Sequence, residues 1–253
     1  MNERREGAKL VEILHLAFLQ VLPSYMPPAS YVVKGGANLR LFYDSRRRSQ
    51  DIDLDYIGDR FHIVEDKVDA TLASQAFRDL LRVAGVAMTV PTKPKQTPTT
   101  RRWKFSVAGP GAHLNTKIEF SGRDSTDAEH AIEAARDDIG RAIGLRVVRA
   151  EHYLAPAAIR QKIRALAQRS ETEPRDVFDL DLLFGAYPGA VEAGSVDTSD
   201  VRKAMDAALR IPFEAYQELL VDFIEDEFLP IYGREEVWTD MALGVVAKLE
   251  TLA

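Results

Sequence analysis

The sequence predicts an α+β protein in which a mixed sheet flanked by helices spans residues 1–125 and a helical bundle domain spans residues 126–253. Three observations favour this fold class. In the first part, short segments of alternating apolar and polar residues are separated by helical patterns and by glycine or proline turns. Two long alternating segments, RRWKFSVAG and AHLNTKIEFSG, flank a Gly-Pro-Gly turn at 109–111, which is typical of an antiparallel pair. After about residue 125, apolar residues recur at helical spacing almost throughout.

The elements of the first part follow from this pattern in order. A helix is predicted over about 6–22 and ends at PSYMPP, and ASYVVKGG is a short strand that breaks at its glycines. ANLRLFYD starts a helix with Leu39 and Phe42 inward, and SQDIDLDYIG is a strand. Residues 65–84 have helical spacing, GVAMTV is a strand, and TKPKQTPTT is a turn.

The second part is predicted to be helical. DAEHAIEAARDDIGRAIG is an acidic, alanine-rich helix, and LRVVRAEHYL begins as a short strand. PAAIRQKIRALAQRS and PRDVFDLDLLFGA are two helices with Pro156 and Pro174 near their first turns. Residues 197–252 are expected to form three further helices.

Composition restricts the kind of site that the chain can build. The 253 residues are 46% hydrophobic and 28% charged, which is ordinary for a globular protein. The absence of cysteine excludes disulfides and thiolate metal sites, and no two of the five histidines have a metal-binding helical spacing. A metal held here would therefore have oxygen ligands, which indicates Mg²⁺ or Mn²⁺ rather than zinc.

The N-terminal segment MNERREGAKLVEILHLAFLQVL contains Lys9, Glu12 and His15 within its apolar run and lacks a small-residue cleavage site. It is predicted to be an amphipathic helix and not a signal peptide. No apolar stretch is long enough to span a bilayer. We therefore expect a cytoplasmic protein with no membrane partner.

The segment KGGANLRLFYDSRRRSQDIDLDYIG contains the main chemical signal. Asp51, Asp53 and Asp55 are two apart, so they share one face of a strand whose other face carries Ile52, Leu54 and Tyr56. Strand interiors usually exclude aspartate, and three like charges on one face also repel one another. A bound cation would compensate this repulsion.

A second strand predicts a third carboxylate. In AHLNTKIEF, Asn115, Lys117 and Glu119 alternate with the core-facing Leu114, Thr116, Ile118 and Phe120. If the two strands are neighbours in one sheet, Glu119 approaches Asp51 and Asp53. Two divalent ions about 4 Å apart would then neutralise the carboxylates and bind a nucleoside triphosphate for in-line attack.

The glycine pair predicts the phosphate site. Gly35 and Gly36 follow a strand and open a helix, where free backbone amides bind phosphate oxygens. Ser49 lies two residues before Asp51 and can donate its hydroxyl to the same phosphates. Each of these features has an ordinary structural explanation by itself, and the prediction depends on their combination.

Two motifs resemble a known family. The glycine turn, a short helix and the pattern R-x-S-x-D-[IL]-D, filled by Arg47, Ser49, Asp51 and Asp53, resemble the nucleotidyltransferase fold of DNA polymerase beta-like enzymes. KIRALAQRSETEPRDVFDL resembles the K-[IL]-x-A-L-x-x-R…R-D-x-x-D-L block of the AbiEii/AbiGii toxin family, which includes the mycobacterial MenT toxins. The matching residues of this block are Lys162, Ala165, Leu166, Arg169, Arg175, Asp176, Asp179 and Leu180. At Arg48 the sequence departs from the pattern, since an apolar residue is common there.

The resemblance implies a nucleotidyltransferase toxin of a type IV toxin–antitoxin system with a cognate antitoxin. Several MenT enzymes add nucleotides to the 3′ end of tRNA, so an NTP and tRNA are the implied substrates and Mg²⁺ or Mn²⁺ the implied cofactor. The predicted catalytic residues are Asp51, Asp53, Glu119, Lys162 and Asp176, of which Asp51, Asp53 and Glu119 would bind metal. The predicted substrate-binding residues are Lys34, Gly35, Gly36, Arg47, Ser49, Lys162 and Arg169.

One face of the helix around Lys162 is predicted to be cationic, because Lys162 and Arg169 are seven residues apart and nearly eclipsed. Such a face can meet a triphosphate, or it can simply be solvated. Asp176 would complete the active site according to the resemblance, although a position in the first helical turn also suits a carboxylate that interacts with the helix dipole.

The acceptor stays open at this level. The net charge of −6 argues against a general nucleic-acid binder, but RRR at 46–48 and the segment 92–104 are locally basic. In the second segment, Trp103 lies among five basic residues and could stack on a base of a tRNA end. These basic residues are Lys93, Lys95, Arg101, Arg102 and Lys104. The hairpin could equally pair with the acidic helix predicted at 127–138.

Other functions share the same motifs. An antibiotic-modifying or protein-modifying nucleotidyltransferase differs only in its acceptor. A non-catalytic nucleotide-binding module is a further alternative, against which the intact set of carboxylates counts.

Overall fold

The computed structural model describes residues 2–122, 129–141, 144–171 and 173–253, which form two compact units. The first unit comprises Met1–Asp44 and Arg48–Tyr153, and the second comprises Ser45–Arg47 and Leu154–Ala253. The division thus falls at Tyr153, whereas the sequence predicted it at residue 125. The reason is that residues 130–153 contain two strands, which pair with the sheet of the first unit.

The first unit contains a mixed sheet, as predicted. In the described part of the chain the sheet has eight strands: β1 (Tyr31–Lys34), β2 (Ile52–Tyr56), β3 (Ala87–Met88), β4 (Thr92–Thr97), β5 (Thr100–Gly109), β6 (Ala112–Ser121), β7 (His130–Ala134) and β8 (Arg149–Tyr153). Their order is β3-β5-β6-β2-β1-β8-β7, and β4 also pairs with β5. Strand β2 runs parallel to β6, and β1 runs parallel to β8, whereas the other pairs are antiparallel.

The helices of the first unit are α1 (Glu3–Val21), α2 (Gly35–Phe42), α3 (Val64–Ala73), α4 (Gln75–Val83) and α5 (Asp137–Arg141). Helix α1 packs on β5, β6 and α4. Its apolar residues Val11, Leu14 and Phe18 join the core that includes Ile52 and Phe120 of the sheet. The apolar alternation of β2 and β6 therefore faces this core, which leaves their polar residues on the opposite face.

The second unit is a helical bundle, as predicted. Its helices are α6 (Ala155–Gln168), α7 (Pro174–Ala186), α8 (Thr198–Arg210), α9 (Phe213–Leu219), α10 (Leu229–Tyr232) and α11 (Glu235–Glu250). Helix α6 packs against α7 and α8, and α11 packs against the same two helices. The three helices predicted over 197–252 are four in the structure, because the short helix α10 lies between α9 and α11.

Three further predictions of local structure were wrong. The helix over 65–84 is two helices, because Ser74 ends α3 and caps α4 by accepting a hydrogen bond from the Phe77 amide at 3.1 Å. The predicted turn over 92–100 is largely strand β4, whose ladder is irregular between Thr92 and Lys95, next to Pro94. The acidic helix predicted from residue 127 is the strand β7 followed by α5, and residues 123–128 and 142–143 lie outside the described residues.

No helix in the described ranges is long and apolar enough to cross a bilayer.

Candidate functional site

Acidic side chains collect on the polar face of β2 and β6. Asp51 directly precedes β2, and Asp53 lies within it, between the buried Ile52 and Leu54. The parallel register of β2 and β6 places Glu119 opposite Asp53. The structure therefore brings together the three carboxylates that the sequence analysis singled out.

A cation lies among these carboxylates. The Lys117 ammonium is 3.0 Å from Asp53 Oδ1, 3.6 Å from Asp51 Oδ2 and 3.8 Å from Glu119 Oε2. The Lys117 backbone amide also donates a hydrogen bond of 3.1 Å to Asp51 Oδ1. Burial by itself would lower the pKa of Lys117, but the three carboxylates raise it above its ordinary value. Lys117 is thus a permanent positive charge at this point. Its position on this face was predicted from the alternation of β6, but no role was predicted for it.

Glu119 has a second positive partner. The Arg102 guanidinium donates from Nε to Glu119 Oε2 at 2.5 Å, across the antiparallel pair of β5 and β6. This ion pair occupies the carboxylate that was predicted as a third metal ligand.

The other aspartate of β2, Asp55, belongs to a different cluster. Asp55 is buried, forms an ion pair with Lys34, and accepts a hydrogen bond of 2.8 Å from the Tyr153 hydroxyl. Lys34, a predicted substrate-binding residue, is therefore engaged by a buried carboxylate of the neighbouring strand.

The glycine turn lies beside Asp53. Gly35 has φ +66, and a Cβ added there would be 3.6 Å from Asp53 Oδ2. Gly35 also begins α2, and the preceding residue, Lys34, does not cap the helix with its side chain. The amides of the first turn are thus left for an external acceptor, such as a phosphate oxygen. Ser49 is close in sequence, but its hydroxyl donates to the Asp51 carbonyl at 2.8 Å.

The residues around Asp51 and Asp53 fit a divalent cation. Two carboxylates on adjacent positions of one face hold a positive charge between them, and the Lys117 ammonium is a stand-in for that cation. A preformed cluster of three or more side chains with metal-ligand geometry is absent from the described residues. Asp51, Asp53 and Glu119 stay predicted metal ligands, and of these Glu119 is paired with Arg102.

The other predicted residues form a buried ion-pair network within the second unit. Arg47 donates two hydrogen bonds to Asp179, at 2.7 and 2.5 Å. The Lys162 ammonium contacts Asp179 at 2.5 Å and Asp176 at 2.9 Å, and Arg169 contacts Asp176 at 2.8 Å. Both aspartates are fully buried. The charge of Lys162 is therefore matched by carboxylates of α7, which differs from the cationic helix face expected from the sequence.

The electrostatics of this network are strong. Burial alone would raise the pKa of Asp179, but the charges of Arg47 and Lys162 outweigh it and lower the pKa to about 2. Asp179 matched a motif position in the sequence, but it was not predicted as a site residue. The signal that could have identified it is its i, i+3 spacing from Asp176, which places both carboxylates on one face of α7.

Arg48, where the sequence departs from the family pattern, has a local explanation. Its Nε atom is 3.2 Å from Glu12 Oε2, and Glu12 also pairs with the buried Arg40. Glu12 of α1 thus compensates the positive charge of Arg48 at a position where the family commonly has an apolar residue.

The basic hairpin differs from its predicted form. Trp103 is fully buried and donates from Nε1 to Asp69 at 2.8 Å, so the prediction that it stacks on a base is wrong. Lys93 pairs with Glu65 and Asp69 of α3, at 2.8 and 2.5 Å. The acidic partner of Lys93 in the hairpin is therefore α3, whereas the segment 127–138, predicted as the alternative partner, lies partly outside the described residues.

Comparisons with known proteins agree with this description. The family model described as "Nucleotidyl transferase AbiEii toxin, Type IV TA system" matches residues 22–251. A candidate nucleotidyltransferase from H. pylori has a solved structure that is similar, with a TM-score of 0.59, 20% identity, and coverage of 100% of this chain and 99% of that one. JHP933 from Helicobacter pylori has a TM-score of 0.61 and 20% identity, with coverage of 97% and 94%. At this identity the two structures show a shared fold. No curated protein sequence matches the chain.

Proposed function

The chain belongs to the AbiEii family of nucleotidyl transferase toxins of type IV toxin–antitoxin systems, and from this premise we propose that it transfers a nucleotidyl group from an NTP to the 3′ end of tRNA. The observation that carries the proposal is the arrangement around Asp53. This carboxylate lies beside Asp51, in contact with a positive charge, and next to the glycine turn that opens α2. Such a tRNA acceptor implies action in the cytoplasm.

Asp51 and Asp53 would hold a divalent cation, Mg²⁺ or Mn²⁺. When bound, it would neutralise charge on the phosphates during transfer. Lys117 supplies a second positive charge from the protein itself, so we propose a single ion at this pair. A two-ion site is the alternative, and it requires Glu119 to separate from Arg102 and act as the third ligand.

The residues of the first unit have positioning roles. The amides of Gly35, Gly36 and the first turn of α2 bind phosphate oxygens of the NTP. Ser49 supports the site by holding the Asp51 backbone through its hydroxyl, and it can rotate to donate to a phosphate instead. The roles that the family resemblance gives to Lys34, Arg47, Lys162, Arg169 and Asp176 stay predictions.

The proposed reaction is an in-line displacement. The acceptor oxygen forms a bond to the α-phosphorus, the bond from that phosphorus to the bridging oxygen breaks, and pyrophosphate leaves. The acceptor proton passes to solvent or to Glu119. Catalysis then depends mainly on positioning and on compensation of charge.

The first test removes the carboxylates singly. In Asp51→Asn and Asp53→Asn, incorporation of radiolabelled nucleotide into total RNA should fall by on the order of 100-fold or more, because each change removes a charge that holds the cation. Asp240→Asn, an exposed aspartate of α11, is the matched control and should retain full activity. Unchanged incorporation in both site variants would refute the assignment.

The same assay distinguishes the alternatives. Label that enters protein or a small molecule, with none in RNA, would support a protein-modifying or antibiotic-modifying transferase. Calorimetric binding of NTP without incorporation into any acceptor would support a non-catalytic nucleotide-binding module.

A further inference from the structure

A groove opens beside Asp51 on the polar face of β5 and β6. Its volume is about 500 Å³, which is in the range of small-molecule sites. Lys104 and Ser106 of β5 and Asn115 and Lys117 of β6 line it, and the further lining includes Asp51, Gln50 and residues of the segment before β4. All of these residues belong to the first unit.

Two lysines line the groove, and only one of them is paired with carboxylates in the described part of the chain. Lys104 lies directly opposite Lys117 in the antiparallel register of β5 and β6. Like charges at opposed positions destabilise a sheet. Lys117 is compensated by the carboxylates around it, but Lys104 is exposed and forms no ion pair among the described residues. An anion from outside the chain would satisfy Lys104.

The rest of the groove has hydrogen-bonding groups that are held in place. The Ser106 hydroxyl donates to Asn115 Oδ1 at 2.5 Å, and the Ser106 amide donates to Thr89 Oγ1 at 2.9 Å. The Asn115 side chain uses its oxygen in this bond, which leaves its NH₂ group to donate to a ligand. These groups match the hydroxyls of a ribose and the polar edge of a base.

The position of the groove indicates which substrate enters it. The glycine turn lies on the β1 side of Asp53, and the groove lies on the β6 side of Asp51, with β2 between them. In an in-line displacement the attacking and leaving oxygens are on opposite sides of the phosphorus. If the turn holds the leaving phosphates, the groove is on the side of the acceptor.

We propose that this groove binds the 3′-terminal nucleotides of the acceptor RNA, with Lys104 on a backbone phosphate and with Ser106 and Asn115 at the terminal nucleoside. The inference rests on the proposed function, because it specifies where the acceptor of that reaction lies.

The experiment compares Lys104→Ala with Lys95→Ala, a half-buried lysine of the same hairpin that does not line the groove. Using full-length protein, we would measure KM separately for deacylated tRNA and for NTP. In Lys104→Ala, the KM for tRNA should rise about tenfold, since a charge-assisted contact is lost, while the KM for NTP stays unchanged. The slope of log KM for tRNA against log salt should also fall by about 0.7, the value for one phosphate contact on a single strand. Lys104→Arg should restore both quantities.

The outcomes separate this inference from the proposed function. If the wild-type protein labels tRNA and Lys104→Ala leaves its KM and salt slope unchanged, the groove assignment is overturned and the function stands. An equal rise of KM in Lys95→Ala would show general attraction by the hairpin, which also overturns it. If the wild-type protein labels protein or no acceptor at all, both the function and the groove assignment fail.

Discussion

At the scale of single residues, Lys117 determines how the acidic cluster of Asp51, Asp53 and Glu119 can bind a cation. A sheet face with Asp51, Asp53 and Glu119 alone would be repulsive, because three like charges would lie close together. Lys117 prevents this, because its ammonium contacts all three within 3.8 Å. A divalent ion bound as proposed would therefore share Asp51 and Asp53 with Lys117.

The variant Lys117→Met tests whether the lysine ammonium and a divalent ion compete for Asp51 and Asp53. Without the ammonium, the aspartates should bind Mn²⁺ at least about tenfold more tightly, because a competing positive charge within 4 Å is removed. Isothermal titration calorimetry without nucleotide measures both the affinity and the stoichiometry, which we expect to be one ion per wild-type chain. Nucleotide transfer should nevertheless fall, since the second positive charge is lost.

Lys95→Met is the control for the Mn²⁺ titration, because Lys95 lies on β4, which pairs with β5 and not with β2, the strand of Asp53. Unchanged Mn²⁺ affinity in Lys117→Met would show that the lysine does not compete for Asp51 and Asp53. Two ions on the wild-type chain would favour the two-ion alternative, in which Glu119 is a ligand.

At the scale of elements, α6 and α7 are joined by buried charges as well as by apolar contacts. Asp179 receives Arg47 and Lys162, while Asp176 receives Lys162 and Arg169. Buried charges are tolerated only when they are paired, so the members of this network depend on one another. The motif residues of α6 and α7 therefore have a structural role whether or not they also contact substrate.

Asp179→Asn should lower the free energy of unfolding by about 3–5 kcal/mol, because Arg47 and Lys162 lose their buried partner. Urea unfolding at pH 7 measures this, with the exposed Asp206→Asn as the control. An effect below about 1 kcal/mol would contradict the importance of the network.

The low pKa of Asp179 predicts that the free energy of unfolding decreases at acidic pH. The pKa of Asp179 is about 2 in the folded protein against an ordinary value of 3.8, so the unfolded state binds the proton more readily. Its contribution to stability is therefore complete above about pH 4 and is lost as the pH falls towards 2. Asp179→Asn should remove this part of the pH dependence in unfolding experiments.

Two strands, β4 and β7, show where a local sequence pattern predicts the wrong secondary structure. The segments 92–97 and 130–134 are rich in turn and helix formers, respectively, yet both are strands. Each is stabilised by its partner, β5 in one case and β8 in the other. Pairing with another strand, whether adjacent in the chain as for β4 or farther along it as for β7, outweighs the local propensity of these segments.

At the scale of the whole molecule, family membership implies that the protein acts as a toxin with a cognate antitoxin. Expression of the wild-type chain should therefore arrest growth, and co-expression of an adjacent antitoxin gene should relieve the arrest. Asp53→Asn should not arrest growth, because toxicity would require the transfer reaction. Growth curves with matched protein levels measure this, and Asp240→Asn is the active control.

Arrest that persists in Asp53→Asn would show that toxicity does not depend on the acidic site. Absence of arrest by a wild-type chain that labels tRNA in vitro would instead separate the reaction from the biological role.

The sequence by itself determined the alternation of Asp51 and Asp53 with buried apolar residues, the glycine turn before them and the helical second part. These features are set by periods of two and 3.6 residues and by glycine, all of which are local. Only the tertiary structure decided that Lys117 lies among the carboxylates, that Arg102 holds Glu119, and that Trp103 is buried against α3. Each of these depends on the register between strands or on helix packing, because electrostatic and packing contacts join residues that are far apart in the chain.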